Sequence, residues 1–282
     1  MLKYVRKERI GRRHIMNKKV VIIIVAAEFL ILLSVILIKV FAHGSFGNAS
    51  LVIGTENASA NEVQSFVTEP ETIPKEYVIE DVSVLSQVEL KAGCETYACT
   101  MLLQTLGFDI DEFTFADEYL EIKDVYYGED GNRYGPDMNS AHAGDVYTGW
   151  GVYAPAMAKF MNRYLDTQKT DLRAYPLEGV ALKTLCEDYI VNDIPVMVWA
   201  TTYMDEPYVK DTWTVDYVDE NAKFEIGDSF SWMMNEHCLV LIGYDEENYY
   251  FADSCAGDIS VFEKDLCTER YEQLGTQAIV VK

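Results

Sequence analysis

Residues 91–103 have the sequence KAGCETYACTMLL, and this stretch decides the fold because a glycine and a cysteine stand where an apolar-periodic run begins. Apolar residues recur at helical spacing after Cys94, and Gly107 stands where a helix C-cap is expected. The pattern therefore predicts a helix that begins at or near Cys94. Free N–H groups and the dipole at a helix N-terminus favour an anion, so a thiol there should lose its proton more easily. The alternative is a buried structural cysteine on an amphipathic helix.

A second stretch, EHCLVLIGYD at residues 236–245, contains the histidine that an activated thiol needs as a base. His237 opens an apolar strand pattern, and the polar turn 245–248 predicts a hairpin with a strand at 249–253. The hairpin would bring Asp253 beside His237, where a carboxylate can orient the imidazole toward Cys94. Taken singly, the histidine is explained as a strand-edge residue and the aspartate as a turn residue.

Two further polar residues are candidates for the same site. Gln87 lies in a strand-like segment seven residues before Cys94 and could donate to an oxyanion together with the Cys94 backbone N–H. His142 is the other histidine outside the N-terminal segment. It could line the cleft from a long loop that spans residues 126–150, but we expect it on the surface of that loop.

The composition limits which classes of protein this chain can belong to. The chain has 282 residues and a net charge of −23, and residues 1–42 contain nine Lys/Arg against two acidic residues, so the remainder has a net charge of −30. Such a surface repels nucleic acid. The six cysteines form no CxxC pair and no Cys/His cluster at zinc spacing, and no acidic run fits a calcium loop. We therefore predict no metal and no cofactor.

The N-terminal third predicts a membrane anchor and a linker. Residues 1–19 are basic, and the apolar run Val20–Ile38 is long enough to cross a bilayer. We interpret residues 20–42 as a retained transmembrane helix instead of a cleaved signal peptide, with the N-terminus in the cytoplasm and the rest outside. Residues 43–77 have the composition of a flexible linker.

Residues 78–282 predict one compact domain. Helix patterns at 111–121, 152–165 and 178–191 precede apolar strand patterns at 195–200, 237–243, 249–252 and 278–281. Asp111 is the expected N-cap of the first of these helices. Helices first and strands later indicate an α+β fold with a mainly antiparallel sheet.

These residues, in this order, resemble the C39-like peptidase family of the papain-like cysteine peptidases. The resemblance rests on Gln87, on Gly93-Cys94-Glu95 at a helix start, on the stretch from His237 to Asp245, and on Asp253 after an aromatic strand. It covers about residues 78–282. The chain differs from bacteriocin-exporter peptidases, which carry an Asp-Cys-Gly motif and transporter domains.

The resemblance implies a papain-like fold in which the helix carrying the cysteine packs on an antiparallel sheet. It also implies Cys94 as nucleophile, His237 as general base and acid, Asp253 as orienting residue and Gln87 in the oxyanion hole. The expected function is therefore a membrane-anchored, extracytoplasmic cysteine peptidase that acts on a peptide or protein. Two alternatives stay open: a non-catalytic peptide-binding module on the same fold, and a cysteine acyltransferase or transpeptidase. The sequence leaves the oligomeric state undetermined.

Overall fold

The structure is a computed structural model that describes residues 73–282. Within that range the chain forms five α-helices and thirteen β-strands. The helices are α1 (Cys94–Thr105), α2 (Glu112–Glu118), α3 (Ala154–Leu165), α4 (Leu182–Asp188) and α5 (Lys264–Gln273). The strands are β1 (Tyr77–Val78), β2 (Ile122–Lys123), β3 (Tyr126–Tyr127), β4 (Arg133–Pro136), β5 (His142–Ala143), β6 (Ala174–Glu178), β7 (Val196–Thr201), β8 (Tyr208–Tyr217), β9 (Ser229–Met234), β10 (Glu236–Tyr244), β11 (Asn248–Asp253), β12 (Asp258–Glu263) and β13 (Gln277–Val281).

Helix α1 begins at Cys94, as the sequence predicts, with Gly93 as its N-cap residue. A side chain at Gly93 would place its Cβ 2.9 Å from the Leu90 Cβ, so the glycine permits the tight turn into the helix. The helix is followed by Gly107 in the left-handed region (φ +88°), which suits a glycine just beyond a helix end. The predicted cap at Asp111 is also confirmed, because its side chain accepts hydrogen bonds from two backbone N–H groups at the start of α2.

The main sheet has the strand order β12-β11-β10-β7-β13-β6, and β1 pairs with β10. All of its pairings are antiparallel. A second sheet has the order β3-β4-β8-β9, and β2 pairs with β5; parallel pairs occur between β4 and β8 and between β2 and β5. The fold is therefore α+β with a mainly antiparallel sheet, as predicted.

Helices cover both faces of the main sheet. Helices α1 and α3 pack on one face, where the side chains of Trp199, Cys238 and Val240 lie. Helices α4 and α5 pack on the other face, where those of Val198 and Leu239 lie. Because both faces are buried, the central strands are apolar throughout instead of alternating with polar residues.

The sequence patterns missed several elements. The segment 126–150, predicted as a loop, contains β3, β4 and β5, and the helix predicted at 178–191 is shorter because β6 and a turn occupy its start. The sequence patterns do not predict β8 and β9. Strand β8 is half exposed, and its polar residues obscure the alternation of apolar and polar positions that is typical of a strand. Helix α5 is rich in charged residues and has only two buried ones, so it lacks an apolar stripe.

The predicted segments 1–19 and 20–42, and the linker up to residue 72, lie outside the described residues. Among residues 73–282 no helix combines the length and the apolar character that a bilayer crossing needs.

Candidate active site

Strand β10 begins with two adjacent residues that belong to two different clusters. Side chains alternate between the faces of a strand. Glu236 therefore shares a face with Cys238, which packs against α1, and His237 shares the opposite face with Leu239. We refer to Cys94, Glu95 and Glu236 as the Cys94 group, and to His237, Asp253 and Cys255 as the His237 group.

In the Cys94 group the thiol is hydrogen-bonded to a carboxylate. Cys94 Sγ donates to Glu95 Oε2 at 3.2 Å, and Glu95 Oε1 accepts from the backbone N–H of Val152 at 2.8 Å. Burial, and then the nearby Glu95 and Glu236, raise the pKa of the Cys94 thiol well above its usual value, against a smaller lowering by the Cys238 backbone. The expectation that the helix start would make this thiol easy to deprotonate is therefore wrong for the resting protein, because desolvation and two carboxyl groups outweigh the helix dipole.

Glu236 is a buried acid without a partner. It is 9% exposed, and its Oε1 makes no hydrogen bond among the described residues. Burial, and then Glu95, raise the pKa of the Glu236 carboxyl well above its usual value, so the neutral acid is favoured.

The Cys94 group faces a cleft of about 410 Å³. Cys94 is 9% exposed and reaches the cleft wall, and Trp150 and Trp232 form part of the same wall. Two of the four tryptophans thus line the cleft, while Trp199 and Trp213 are buried in the core. The remaining lining residues are Lys91, Ala92, Gly149, Thr202, Tyr203, Asp205, Met234, Asn235 and Glu236.

The His237 group is a fully hydrogen-bonded pair with a thiol beside it. His237 Nε2 lies 2.9 Å from Asp253 Oδ1, and Asp253 Oδ2 accepts from the Ser260 hydroxyl at 2.8 Å. The other ring nitrogen, Nδ1, lies 3.8 Å from Cys255 Sγ. The adjacency of His237 and Asp253 that the hairpin predicts is thus present, and the registered pairs of β10 and β11 include Val240 with Ala252.

The two members of this pair shift each other's pKa. Burial alone would lower the pKa of His237, but the hydrogen bond to Asp253 and the contact with Cys255 raise it to about 9. Burial alone would raise the pKa of Asp253, but the hydrogen bond and the charge of His237 hold it below its usual value. At neutral pH the pair is therefore an imidazolium with a carboxylate.

Gln87 lies on the side of the His237 group. Its Nε2 donates to the backbone carbonyls of Leu90 at 3.0 Å and Lys91 at 3.1 Å, and its Oε1 accepts from the Ser254 hydroxyl at 3.0 Å. Cys255 Sγ lies 3.7 Å from the same oxygen. In the resting protein both amide hydrogens are therefore in use.

The structure thus brings His237, Asp253 and Gln87 into one region and Cys94 into a neighbouring one. Among residues 73–282 no hydrogen bond joins Cys94 Sγ to His237. The catalytic roles of these four residues stay predictions. All six cysteines are free thiols.

His142 differs from its prediction. It is fully buried instead of exposed, since β5 runs through the interior of the segment expected to be a loop. Its Nδ1 lies 2.7 Å from the Gly144 carbonyl oxygen, and its Nε2 has no partner among the described residues.

Sequence reasoning missed three residues of these clusters. In the sequence, Glu95 stands out only as part of the Gly-Cys-Glu motif, and Glu236 and Cys255 have no predicted role in the site. A signal was available for each: Glu95 follows Cys94, Glu236 precedes His237, and Cys255 stands two residues after Asp253.

Comparison with known proteins gives a consistent result. The model of the Peptidase_C39 like family matches residues 79–279. The uncharacterized protein YvpB of Bacillus subtilis (strain 168) is 23% identical over 207 residues, which are 72% of this chain and 75% of that protein. The crystal structure of a candidate C39-like peptidase from Bacillus anthracis superposes with a TM-score of 0.59 at 25% identity, and covers 74% of this chain and 98% of that one. The chain belongs to the Peptidase_C39 like family.

Proposed function

We propose that this protein is an extracytoplasmic, membrane-anchored cysteine peptidase that hydrolyses peptide bonds through Cys94, His237 and Asp253. The observation that carries the proposal is the buried 2.9 Å hydrogen bond between His237 Nε2 and Asp253 Oδ1. It fixes the tautomer and orientation of the imidazole, which a cysteine nucleophile requires of its base, while Nδ1 faces the Cys255 thiol in the resting protein. Family membership and the opening of Cys94 into a cleft support the same function.

In the proposed reaction Cys94 loses its thiol proton to solvent while His237 already holds a proton as the imidazolium, and Cys94 Sγ forms a bond to the carbonyl carbon of the substrate. The C–N bond then breaks, and the leaving amine takes the proton from His237. Water hydrolyses the thioester, which regenerates the thiol and releases the acid. The backbone N–H of Cys94, in the unpaired first turn of α1, and the amide of Gln87 stabilise the oxyanion.

This reaction requires a local rearrangement of the resting protein. The sulfur has to leave Glu95, and the Gln87 amide has to release a backbone carbonyl. The imidazole has to leave Cys255 and reach Cys94 around the start of β10, because the two side chains lie on opposite faces of that strand. Catalytic hydrogen bonds commonly tighten only when substrate is bound. We infer that a peptide in the cleft, between Trp150 and Trp232, drives the change.

The membrane part of the proposal rests on the sequence alone. The run Val20–Ile38 and its basic flank motivate an anchor with the peptidase domain outside the cell. Protease treatment of intact cells is expected to remove the domain and to spare an N-terminal tag. A domain that resists protease until the cells are lysed would contradict this topology.

A second candidate function is a non-catalytic peptide-binding module. It is favoured by the resting state of Cys94, whose thiol is protonated and is hydrogen-bonded to Glu95 instead of His237. In that case the cleft binds a peptide and releases it unchanged.

The deciding experiment treats the full-length protein with a cysteine-reactive peptide probe and maps the labelled residue by mass spectrometry. We expect labelling at Cys94 that decreases strongly in His237→Ala, together with release of fragments from a peptide library. Labelling at Cys255 alone would overturn the assignment of the nucleophile. Folded protein that binds peptides without cleaving them would favour the binding module, and an isopeptide product would favour acyl transfer.

A further inference from the structure

The Cys94 group contains two buried carboxyl groups that lack a cationic partner. No salt bridge formed by the described residues involves Glu95 or Glu236. Glu236 is 9% exposed and its Oε1 has no hydrogen-bond partner there. Buried polar atoms are nearly always paired, so an unpaired carboxyl oxygen beside a thiol and a second carboxyl group points to a ligand that these three side chains can bind.

The geometry of the group suits a metal ion. The thiol sulfur and one oxygen from each glutamate all lie within 4.8 Å of one another. Cys94 Sγ and Glu95 Oε2 are 3.2 Å apart. A tetrahedral zinc ion with ordinary bond lengths separates a sulfur and an oxygen ligand by about 3.5 Å. The sulfur and the Glu95 oxygen are therefore almost in place, and Glu236 supplies the free oxygen.

A glycine keeps the space around this group open. A Cβ at Gly151 would lie 2.1 Å from Glu95 Oε1 and 3.4 Å from Glu236 Oε2, so both carboxyl groups converge on this backbone position. Val152 N–H holds the outer oxygen of Glu95, which leaves Oε2 directed at the sulfur. The adjoining cleft gives an ion its entry path and leaves a fourth coordination position for water.

We propose that Cys94, Glu95 and Glu236 form a binding site for a thiophilic divalent cation of the zinc class. Binding forms a metal–sulfur bond and a metal–oxygen bond to Glu236, breaks the S–H bond of Cys94 and the O–H bond of the Glu236 carboxyl, and both protons pass to solvent. A thiolate with two carboxylates favours Zn²⁺ or Cd²⁺ over Ca²⁺ and Mg²⁺, which prefer a larger set of oxygen ligands. Because the ion would occupy the sulfur, it would also block any reaction of Cys94 reversibly.

The His237 group is the competing site, since His237, Asp253 and Cys255 also offer three ligand atoms within 4.8 Å. That group is satisfied without a metal, however. Nε2 and Oδ1 are hydrogen-bonded to each other, and Oδ2 accepts from Ser260. A metal there would first have to break these bonds, so the orphaned Glu236 directs the ion to the Cys94 group.

The test titrates metal-free, full-length protein with Cd²⁺ and follows the ultraviolet thiolate-to-cadmium charge-transfer band. We expect one ion per chain, loss of the band in Cys94→Ser, and affinity weakened by at least about tenfold in Glu236→Gln, which lacks one ligand. The matched controls are Cys255→Ser, the thiol of the competing group, and Glu247→Gln, an exposed glutamate; both should bind Cd²⁺ as the unchanged protein does.

A second measurement uses only the unchanged protein. Zn²⁺ added to the unchanged protein should protect Cys94, and not Cys255, from alkylation in a mass-spectrometric footprint. A protein that binds no Cd²⁺, a band that survives Cys94→Ser, or protection at Cys255 alone would overturn the proposal. Both readouts are independent of peptidase activity, so this site and the proposed function can fail separately.

Discussion

The Cys94 group and the His237 group start from neighbouring residues of one strand and yet differ in how completely their polar atoms are paired. In the His237 group, Asp253 uses both oxygens and the imidazole has a partner at each nitrogen. In the Cys94 group, the Glu236 Oε1 is buried and has no partner among the described residues. The comparison shows a hydrogen-bonded His237–Asp253 pair beside a group in which the Cys94 thiol is bonded to Glu95 and one carboxyl oxygen is unpaired.

The largest expected effect separates the two thiols. Cys94→Ala should reduce turnover of a cleaved peptide by at least about a thousandfold, because the nucleophile is removed. Cys255→Ala should cost less, since its sulfur contacts His237 and Gln87 but is not the proposed nucleophile. Turnover is measured on both variants, with circular dichroism as the folding control. The reverse order of losses would assign the nucleophile to the His237 group.

The next effect concerns Gln87, which borders the His237 group. Gln87→Ala should lower kcat about 100–1000-fold, or 2.7–4 kcal/mol of transition-state stabilisation, if its amide donates to the oxyanion. A matched control is Gln104→Ala, because the Gln104 amide also donates to a backbone carbonyl, that of Ile110, and accepts from the Ser83 hydroxyl.

Both glutamine variants should lose about 1 kcal/mol of unfolding free energy, since each loses side-chain hydrogen bonds. Only Gln87→Ala should lose kcat. Equal kcat values for the two variants would show that Gln87 only holds the backbone carbonyls of Leu90 and Lys91 and takes no part in catalysis.

A third effect tests the independence of the two groups through the pKa of His237. That pKa is raised to about 9 by Asp253 and Cys255, so Asp253→Asn should bring it to about 6.5 or lower. Glu236→Gln, one residue away but in the other group, should change it much less. NMR titration of the imidazole, assigned with a His237→Gln variant, measures both shifts.

The same shift sets a pH dependence of stability. A raised histidine pKa stabilises the fold fully below about 6.5 and loses that contribution as pH rises through about 9. Asp253→Asn should therefore lower the unfolding free energy by roughly 3 kcal/mol near pH ~6, where both partners are charged, and by less above pH ~9 and at low pH, where Asp253 itself becomes protonated. A loss that does not vary with pH would show that the charged pair contributes no stability.

The last prediction concerns the space around the Cys94 group. Gly151→Ala places a Cβ against Glu95 at a left-handed φ of +127°. Gly107→Ala shares the left-handed backbone, at φ +88°, but its Cβ meets no atom within 4 Å. Urea unfolding should show Gly107→Ala costing about 1–2 kcal/mol from the backbone alone. Gly151→Ala should cost about 1–3 kcal/mol more, from the collision with the carboxylate.

The sequence by itself determined the local features. The start of α1 at Cys94, the cap at Asp111 and the pairing of His237 with Asp253 could be predicted, because each depends on residues within one helix turn or one hairpin. The α+β class and the mainly antiparallel sheet followed from the order and period of the apolar segments. The family resemblance added the expected roles of Cys94 and Gln87, which depend on catalysis and await the measurements above.

Only the tertiary structure decided which side of β10 meets α1. Strand alternation fixes that Glu236 and His237 point in opposite directions, but which of them faces the cysteine depends on where a helix more than 130 residues earlier packs. The same long-range packing buries His142 and brings Cys255 to the imidazole. It also desolvates Cys94 beside two carboxyl groups, which reverses the pKa shift that the helix start alone would produce.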